Sequence, residues 1–252
     1  MAPDLLAELV ATAAPRLAGP PPSVAALGQR SLVASLSRPG IRIVAEMKHR
    51  SPSAGVIRDP IHPEALAAAY QLGGAAGVSV VTEERFFGGD ACWVARAKSA
   101  CSLPVLQKDF FSRPEHLAYG RACGADAVLL IARILPGGLL AEMLAACREL
   151  GLEAVVETHD AEEIERALLA GAPIVGVNAR DLATFQVDVG RAAALLARVP
   201  PPHLGLLESG IGSRQQFQEL VAQGVRCFLI GEYLLRKEHP EEALRELTAC
   251  SP

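Results

Sequence analysis

The 252-residue chain is poor in aromatic side chains, at 4% of the total with a single tryptophan. It has no stripe of basic residues interleaved with aromatics. The net charge is −4 and the pI about 5.9, which argues against nucleic acid as a partner while leaving room for one basic cluster on a small anion. The six cysteines (Cys92, Cys101, Cys123, Cys147, Cys227, Cys250) form no CxxC pair. Their scatter through apolar and helical contexts is expected of reduced thiols in the cytoplasm rather than of a disulfide framework. Six scattered histidines give no HExxH spacing, so no metal site is expected. No apolar run approaches the length of a membrane span, and Glu8 interrupts the first one before any basic residue appears. A soluble cytoplasmic protein with no membrane partner is the expectation. A glycine-rich dinucleotide turn is also missing: Ser51-Pro52-Ser53-Ala54-Gly55, after the first strand-like run, does not match GxGxxG.

Half of the residues are hydrophobic and 21% charged, enough for a large core. A helix is expected over 4–14, capped by Asp4, striped by Leu5, Leu6, Leu9 and Val10, and stopped by Pro15. A Gly-Pro-rich connector follows, and then a second helix over 24–36. Residues 1–42 thus form an N-terminal helical extension. From residue 43 onward apolar runs recur at 43–47, 78–81, 105–106, 127–131, 154–156, 174–177, 204–207 and 227–230. Helical patterns lie between them, as at 63–72, 115–123, 139–150, 161–169, 191–199 and 213–223. Gly124-Ala125, Gly171-Ala172 and Gly224-Val225 close helices just ahead of strands. Eight strands in alternation with helices predict an α/β fold, a (β/α)8 TIM barrel over 43–252, in one domain with its extension.

Active sites of such barrels gather at the carboxyl ends of the strands. Here the first run ends in Glu46 and Lys48, the second in Thr82-Glu83, the third in Lys108-Asp109-Phe110 and the fifth in Glu157. The sixth ends in Asn178-Ala179-Arg180-Asp181, the seventh in Glu208-Ser209-Gly210 and the eighth in Gly231-Glu232. The positions that open the strands are mostly Gly, Ala, Pro or Ile. Alternate residues of a strand share a face. Val44, Glu46 and Lys48 therefore point one way, as do Leu106 with Lys108, Val155 with Glu157, and Gly176 with Asn178 and Arg180. Lys48, Lys108 and Glu157 should converge at the top of the barrel, an arrangement too costly to bury without function. The glycine-bearing loops Ser209–Ser213 and Gly231-Glu232 follow the last two strands, where barrels commonly hold a phosphate. Ser213 and Gln216 should form a capping box there.

The motifs resemble those of the indole-3-glycerol phosphate synthase family. They are Ala45-Glu46-Met47-Lys48…Ser51-Pro52-Ser53, Ser79-Val80-Val81-Thr82-Glu83…Phe87-Gly88-Gly89, Pro104-Val105-Leu106-Gln107-Lys108-Asp109-Phe110 and Gly124 to Ile131. Gly176 to Leu182, Glu208-Ser209-Gly210-Ile211 and Leu229-Ile230-Gly231-Glu232 complete them, all in family order. The resemblance implies conversion of 1-(2-carboxyphenylamino)-1-deoxyribulose 5-phosphate to indole-3-glycerol phosphate, CO2 and water, with no cofactor or metal. It implies that Lys108 is the general acid, that Lys48 engages the substrate carboxylate, and that Glu157 is the base or proton shuttle of dehydration. Glu46, Asn178 and Ser209 would orient substrate and lysines. Ser51, Gly210 and Gly231 would meet the phosphate, and Phe87, Phe110 and Leu129 the anthranilate ring. Arg180, Leu229 and Glu232 complete the substrate-binding set. Neighbouring cations are expected to lower the lysine pKa values toward the working range.

The chain departs from the family pattern at Gln107, where a basic residue is usual, at Ala54, where many members have lysine, and in a first helix poor in charge. Strand parity puts Gln107 on the helix side, and His49 points opposite to Lys48. The nearest enzymatic rival, phosphoribosylanthranilate isomerase, needs a Cys/Asp pair where the first strand offers Glu46 and Lys48. A non-catalytic barrel would have lost a lysine or glutamate that is present here. The residues do not decide between a monomer and association with other tryptophan-pathway enzymes.

Overall fold

Residues 5–22, 28–181 and 184–250 are described by the computed structural model. Eight parallel strands close a barrel: β1 (Arg42–Met47), β2 (Gly77–Val81), β3 (Val105–Lys108), β4 (Ala127–Ile131), β5 (Glu153–Thr158), β6 (Ile174–Asn178), β7 (Leu204–Glu208) and β8 (Cys227–Ile230). Each strand hydrogen-bonds to its sequence neighbours, and β1 closes the ring on β8. Several strands run past their apolar stretches, and the added residues are polar. The register sets Lys108 beside Val81, Glu157 beside Ile131 and Gly176, and Asn178 beside Glu208. The ladder itself therefore fixes the height at which these side chains leave the barrel wall.

The outer layer consists of α3 (Pro63–Leu72), α4 (Cys92–Ala100), α5 (Pro114–Ala122), α6 (Leu139–Glu149), α7 (Ala161–Leu169), α8 (Val189–Leu196), α9 (Arg214–Ala222) and α11 (Pro240–Thr248), with a short α10 (Glu232–Leu235) after β8. Gly124, Gly171 and Gly224 follow α5, α7 and α9 at φ of 93°, 78° and 99°, the left-handed turn expected of them. Asp160 and Ser213 cap α7 and α9 by accepting from the N–H three residues on. Cys101, Cys123, Cys147 and Cys227 are buried free thiols, whereas Cys92 is exposed. Among the described residues no helix is long and apolar enough to cross a membrane.

The extension differs from the sequence expectation in two places. Helix α1 runs over Leu5–Leu17, so Pro15 does not stop it. Proline there removes one bond in the last turn, and burial of Ala13 and Leu17 against the barrel holds that turn in place. The expected cap Asp4 lies outside the described residues, as do residues 24–27 of the second expected helix. Among the described residues of that stretch, the helix is α2, Leu32–Leu36. Its start is set by side chains: the N–H of Arg30 donates to Asp126 Oδ1 (2.7 Å), and Ser31 Oγ caps Ala34 N (2.9 Å) while donating to Glu153 Oε1 (2.6 Å). These bonds hold 30–31 extended at the amino end of the barrel.

Candidate active site

Two lysines and three carboxylates meet at the carboxyl end of the barrel. Lys48, one residue beyond β1, donates from Nζ to Glu46 Oε1 at 2.6 Å. Lys108, the last residue of β3, donates to Glu208 Oε2 at 2.8 Å and lies 3.6 Å from Glu46 Oε2 and 3.7 Å from Glu157 Oε2. The three carboxylates are buried, and Lys108 is only 16% exposed. The strand parity that predicted convergence of Lys108 and Glu157 holds. Glu208 belongs to the same cluster, and room for it comes from Gly176, where a Cβ would overlap its carboxylate.

Electrostatics reverse one expectation. Burial works against a charged Lys108, but Glu208, Glu46 and Glu157 outweigh it and raise its pKa above the ordinary lysine value. The expected lowering by neighbouring cations does not occur for Lys108 because its close neighbours are anions. Burial likewise opposes ionised Glu46, yet Lys48 and Lys108 hold it below the usual carboxylate value. For Glu208 burial prevails over Lys108 and raises the pKa, helped by the other two carboxylates.

These groups open into a cavity of about 620 Å³. One side of it is apolar. Phe87 and Phe110, with ring centroids 6.4 Å apart, stand there with Val81, Leu129 and Ile131, and Leu5 and Leu9 of α1 join them. Glu83 does not enter this wall. Its buried carboxylate accepts the N–H groups of Arg85, Phe86 and Phe87 at 2.9, 2.7 and 3.0 Å, forming the turn that presents Phe87.

The loops after β7 and β8 line the cavity with backbone. Ser209 and Gly210 both have positive φ, 66° and 84°, strained for the serine. A Cβ at Gly210 would stand 2.6 Å from Val189 Cγ1, and one at Gly231 would stand 2.6 Å from Glu46 Oε1. Half of the expected capping box forms, with Ser213 Oγ accepting from Gln216 N. The amide oxygen of Gln216 accepts instead from Gly212 N at 2.9 Å. Ser51, whose Oγ accepts from Ala54 N (3.1 Å), lines the same cavity, as do Leu229 and Glu232. Arg236 donates to Glu232 Oε1 at 2.8 and 3.0 Å. Asn178 Oδ1 accepts from Arg180 N at 3.0 Å, and both side chains line the cavity. Every residue singled out from the sequence as a site candidate borders this one space.

Helix α1 is fastened over the apolar side by an ion pair whose carboxylate is fully buried. Arg16 Nη2 donates to both oxygens of Asp109, at 2.7 and 2.8 Å. Asp109 stands between Lys108 and Phe110. It also accepts from Phe110 N (2.9 Å) and from Thr82 Oγ1, and Gln107 Nε2 donates to Thr82 Oγ1 at 3.1 Å. Gln107 is thus buried in this network, as its parity required. His49 stands apart from the lysine cluster, with Nε2 3.7 Å from Asp59.

Glu208 was given no role from the sequence, although alternation with Leu206 was the same signal that found Glu157. The Arg16–Asp109 link spans 93 positions and carries no sequence signal. Among the described residues, no group of three or more His, Cys, Asp or Glu side chains is arranged to hold a metal ion.

Residues 23–247 match the family model described as indole-3-glycerol phosphate synthase. The chain is 44% identical to indole-3-glycerol phosphate synthase of Micrococcus luteus over 247 residues, 98% of this chain and 89% of the relative. It is 44% identical to indole-3-glycerol phosphate synthase 2 of Streptomyces coelicolor, covering 89% of this chain and 87% of that one. A solved structure, thiamine phosphate pyrophosphorylase from Pyrococcus furiosus, is similar in fold with a TM-score of 0.59. Its identity is 15%, and the match covers 86% of this chain and 96% of that one.

Proposed function

Because the chain belongs to the indole-3-glycerol phosphate synthase family, we propose that Lys108 is the general acid of ring closure, with Lys48 engaging the substrate carboxylate and Glu157 serving dehydration. The enzyme is a carboxy-lyase of tryptophan biosynthesis. It closes, decarboxylates and dehydrates 1-(2-carboxyphenylamino)-1-deoxyribulose 5-phosphate to indole-3-glycerol phosphate.

The observation that carries the residue roles is Lys108 held between three carboxylates, 2.8 to 3.7 Å away, in the wall of the cavity. Its raised pKa keeps it protonated until substrate arrives, the state an acid requires. The aromatic carbon bearing the carboxylate attacks the ketose carbon while Lys108 protonates the ketose oxygen. Loss of CO2 returns its bonding electrons to the ring. Water then departs as the new hydroxyl takes a proton from an acid, and a proton leaves the carbon next to nitrogen to a base, completing the indole. Glu157, in reach of Lys108, suits the proton transfers of this last step. Glu46 and Glu208 aim the lysines, and Asn178 and Ser209 orient substrate.

The two ends of the cavity suit the two ends of the substrate. Phe87, Phe110 and Leu129 take the anthranilate ring, with Leu5 and Leu9 above it. The glycine-lined loops at Gly210 and Gly231, with Ser51, Leu229, Glu232 and Arg180 nearby, take the phosphorylated end. Six free thiols suit a cytoplasmic enzyme.

The test is turnover by purified protein, followed by indole absorbance with and without EDTA. Product should form at the same rate in both. A folded sample that gives no indole product overturns the reading.

A further inference from the structure

The reaction of the ionised substrate consumes a proton. Two protons reach the ketose oxygen, one on ring closure and one as it leaves as water. One proton comes off carbon, and the carboxylate departs as neutral CO2. The balance is one proton taken up per turnover, and it must enter a site roofed by α1. Lys108 can lend the first proton, but it must then be recharged, and Glu157, which only trades protons with it, cannot make up the difference.

Behind Glu157 lies a buried histidine that the mechanism above does not use. His159, one residue past β5, is 3% exposed. Its Nε2 is 3.5 Å from Glu157 Oε1, the oxygen other than the Oε2 that faces Lys108, and among the described residues it has no hydrogen-bond partner. Its Nδ1 is 3.3 Å from Glu163 Oε2 on α7. A carboxylate only accepts, so Nδ1 carries a hydrogen and Nε2 holds the exchangeable one. Glu163 is itself anchored, accepting from His159 N at 2.8 Å and from Arg133 Nε at 2.9 Å. Arg191 of α8 donates to the His159 carbonyl at 3.1 Å, and Asp160, next in the chain, is turned to the start of α7, where it accepts from Glu163 N at 2.9 Å. The ring therefore faces two carboxylates, with Arg133 behind one and Lys108 beyond the other.

Resting on the reading above, we propose that His159 is a positioning residue that stores the consumed proton. It holds the proton beside Glu157 through the closed phase, releases it from Nε2 to Glu157 Oε1 during turnover, and is reloaded from solvent when product leaves. No bond other than N–H and O–H is made or broken. The imidazolium becomes neutral as Glu157 becomes protonated, and Glu157 passes the proton on. The electrostatics agree. Burial disfavours the imidazolium, but the bond to Glu163 and the charges of Glu157 and Glu163 outweigh it and raise the pKa of His159. Glu163, though burial opposes its charge, is held at about 2 by His159 and Arg133, so it stays ionised and keeps the ring oriented.

The experiment compares wild type with His159→Gln, which keeps the size and a hydrogen-bonding amide but cannot titrate. Wild-type kcat should fall as pH rises through the His159 pKa. In His159→Gln that alkaline limb should be absent and kcat lower by about 10²-fold, the low end of the usual range for a positioned proton donor, with KM within about twofold. In a single turnover followed with a pH indicator, wild type should take up its proton after product formation, and the variant in step with it. An unchanged pH profile and kcat in the variant overturns the proposal. To guard against misfolding, histidine NMR on wild type reads the same residue directly. A protonated His159 at pH 7 that becomes neutral when Glu163→Gln is introduced supports the store, and a neutral one in wild type overturns it. If wild type itself makes no indole, the functional reading fails, a result distinct from a normal enzyme that ignores His159.

Discussion

Removal of the Arg16 guanidinium should loosen the roof of the site without unfolding the barrel. In Arg16→Ala the Asp109 carboxylate, 0% exposed, loses both bonds at 2.7 and 2.8 Å and keeps only those from Thr82 and Phe110 N. Stripping one partner from a buried pair costs roughly 3–5 kcal/mol when the survivor stays buried. Here the cost is capped, because detaching α1 lets water reach Asp109. The cap is the docking free energy of the helix. Leu6, Leu9, Ala13 and Leu17 bury apolar surface, each leucine contributing about 1.5–3 kcal/mol. The conformational entropy lost on ordering the helix opposes this burial, so the net docking free energy is small. A loss of about 2–3 kcal/mol moves that equilibrium by roughly 30- to 150-fold. Substrate affinity falls with the fraction of enzyme whose roof is closed. KM should therefore rise by about 10- to 100-fold while kcat, measured at saturation where substrate recloses α1, changes by less than about threefold. Amide exchange over residues 5–17 should quicken, and Arg16→Lys, which keeps the charge but not the length and planar shape of the guanidinium, should fall between. Unchanged KM with unchanged exchange would refute the reasoning. So would a collapse of kcat and global stability together, which would make the pair part of the core rather than a fastening.

Two further substitutions separate chemistry from scaffold. Lys108→Ala should lower kcat by about 10²–10⁴, the usual worth of a positioned acid, in stopped assays for indole product. A near-normal kcat would transfer the acid role to Lys48. At the amino end of the barrel, Lys98 Nζ bonds Asp126 Oδ1 at 2.7 Å and Gly124 O at 2.9 Å, and both charged side chains are fully buried. Lys98→Ala should destabilise by about 3–5 kcal/mol in urea unfolding with kcat and KM unaltered, and a kinetic effect without loss of stability would contradict the separation.

What could be read in advance is what depends on period and spacing. The eight apolar runs announce the strands because a parallel strand covered on both faces must be apolar. Parity along those runs then assigns Lys108 and Glu157 to the barrel interior, where the ladder holds them 3.7 Å apart. The glycines at 210 and 231 are legible for a different reason: backbone lining a cavity leaves no room for Cβ, and each would strike a neighbour at 2.6 Å. Less legible were the ends of the extension. Pro15 breaks a helix only if no burial compensates, and that burial comes from the barrel, not from the local sequence.

The remaining gaps share one cause: a charge is defined by its neighbours, and the neighbours are remote in sequence. Lysines 48 and 108, considered as a pair of cations, suggested mutual repulsion and lowered pKa values. Folding inserts Glu46 and Glu208 at 2.6 and 2.8 Å, one for each lysine, and the sign of the effect on Lys108 inverts. Asp109 was one polar residue at the end of a strand until Arg16 was set against it from 93 positions away. His159 looked like one of six scattered histidines until α7 brought Glu163 to its far nitrogen. In each case the residue type fixes what chemistry is available, while the distance fixes which form is populated. The cluster's two ammonium groups against three carboxylates leave it short of positive charge. A substrate bearing two anionic groups makes that deficit larger, which favours a site that gathers protons from its surroundings. The Glu157–His159–Glu163 line is where the fold can hold one.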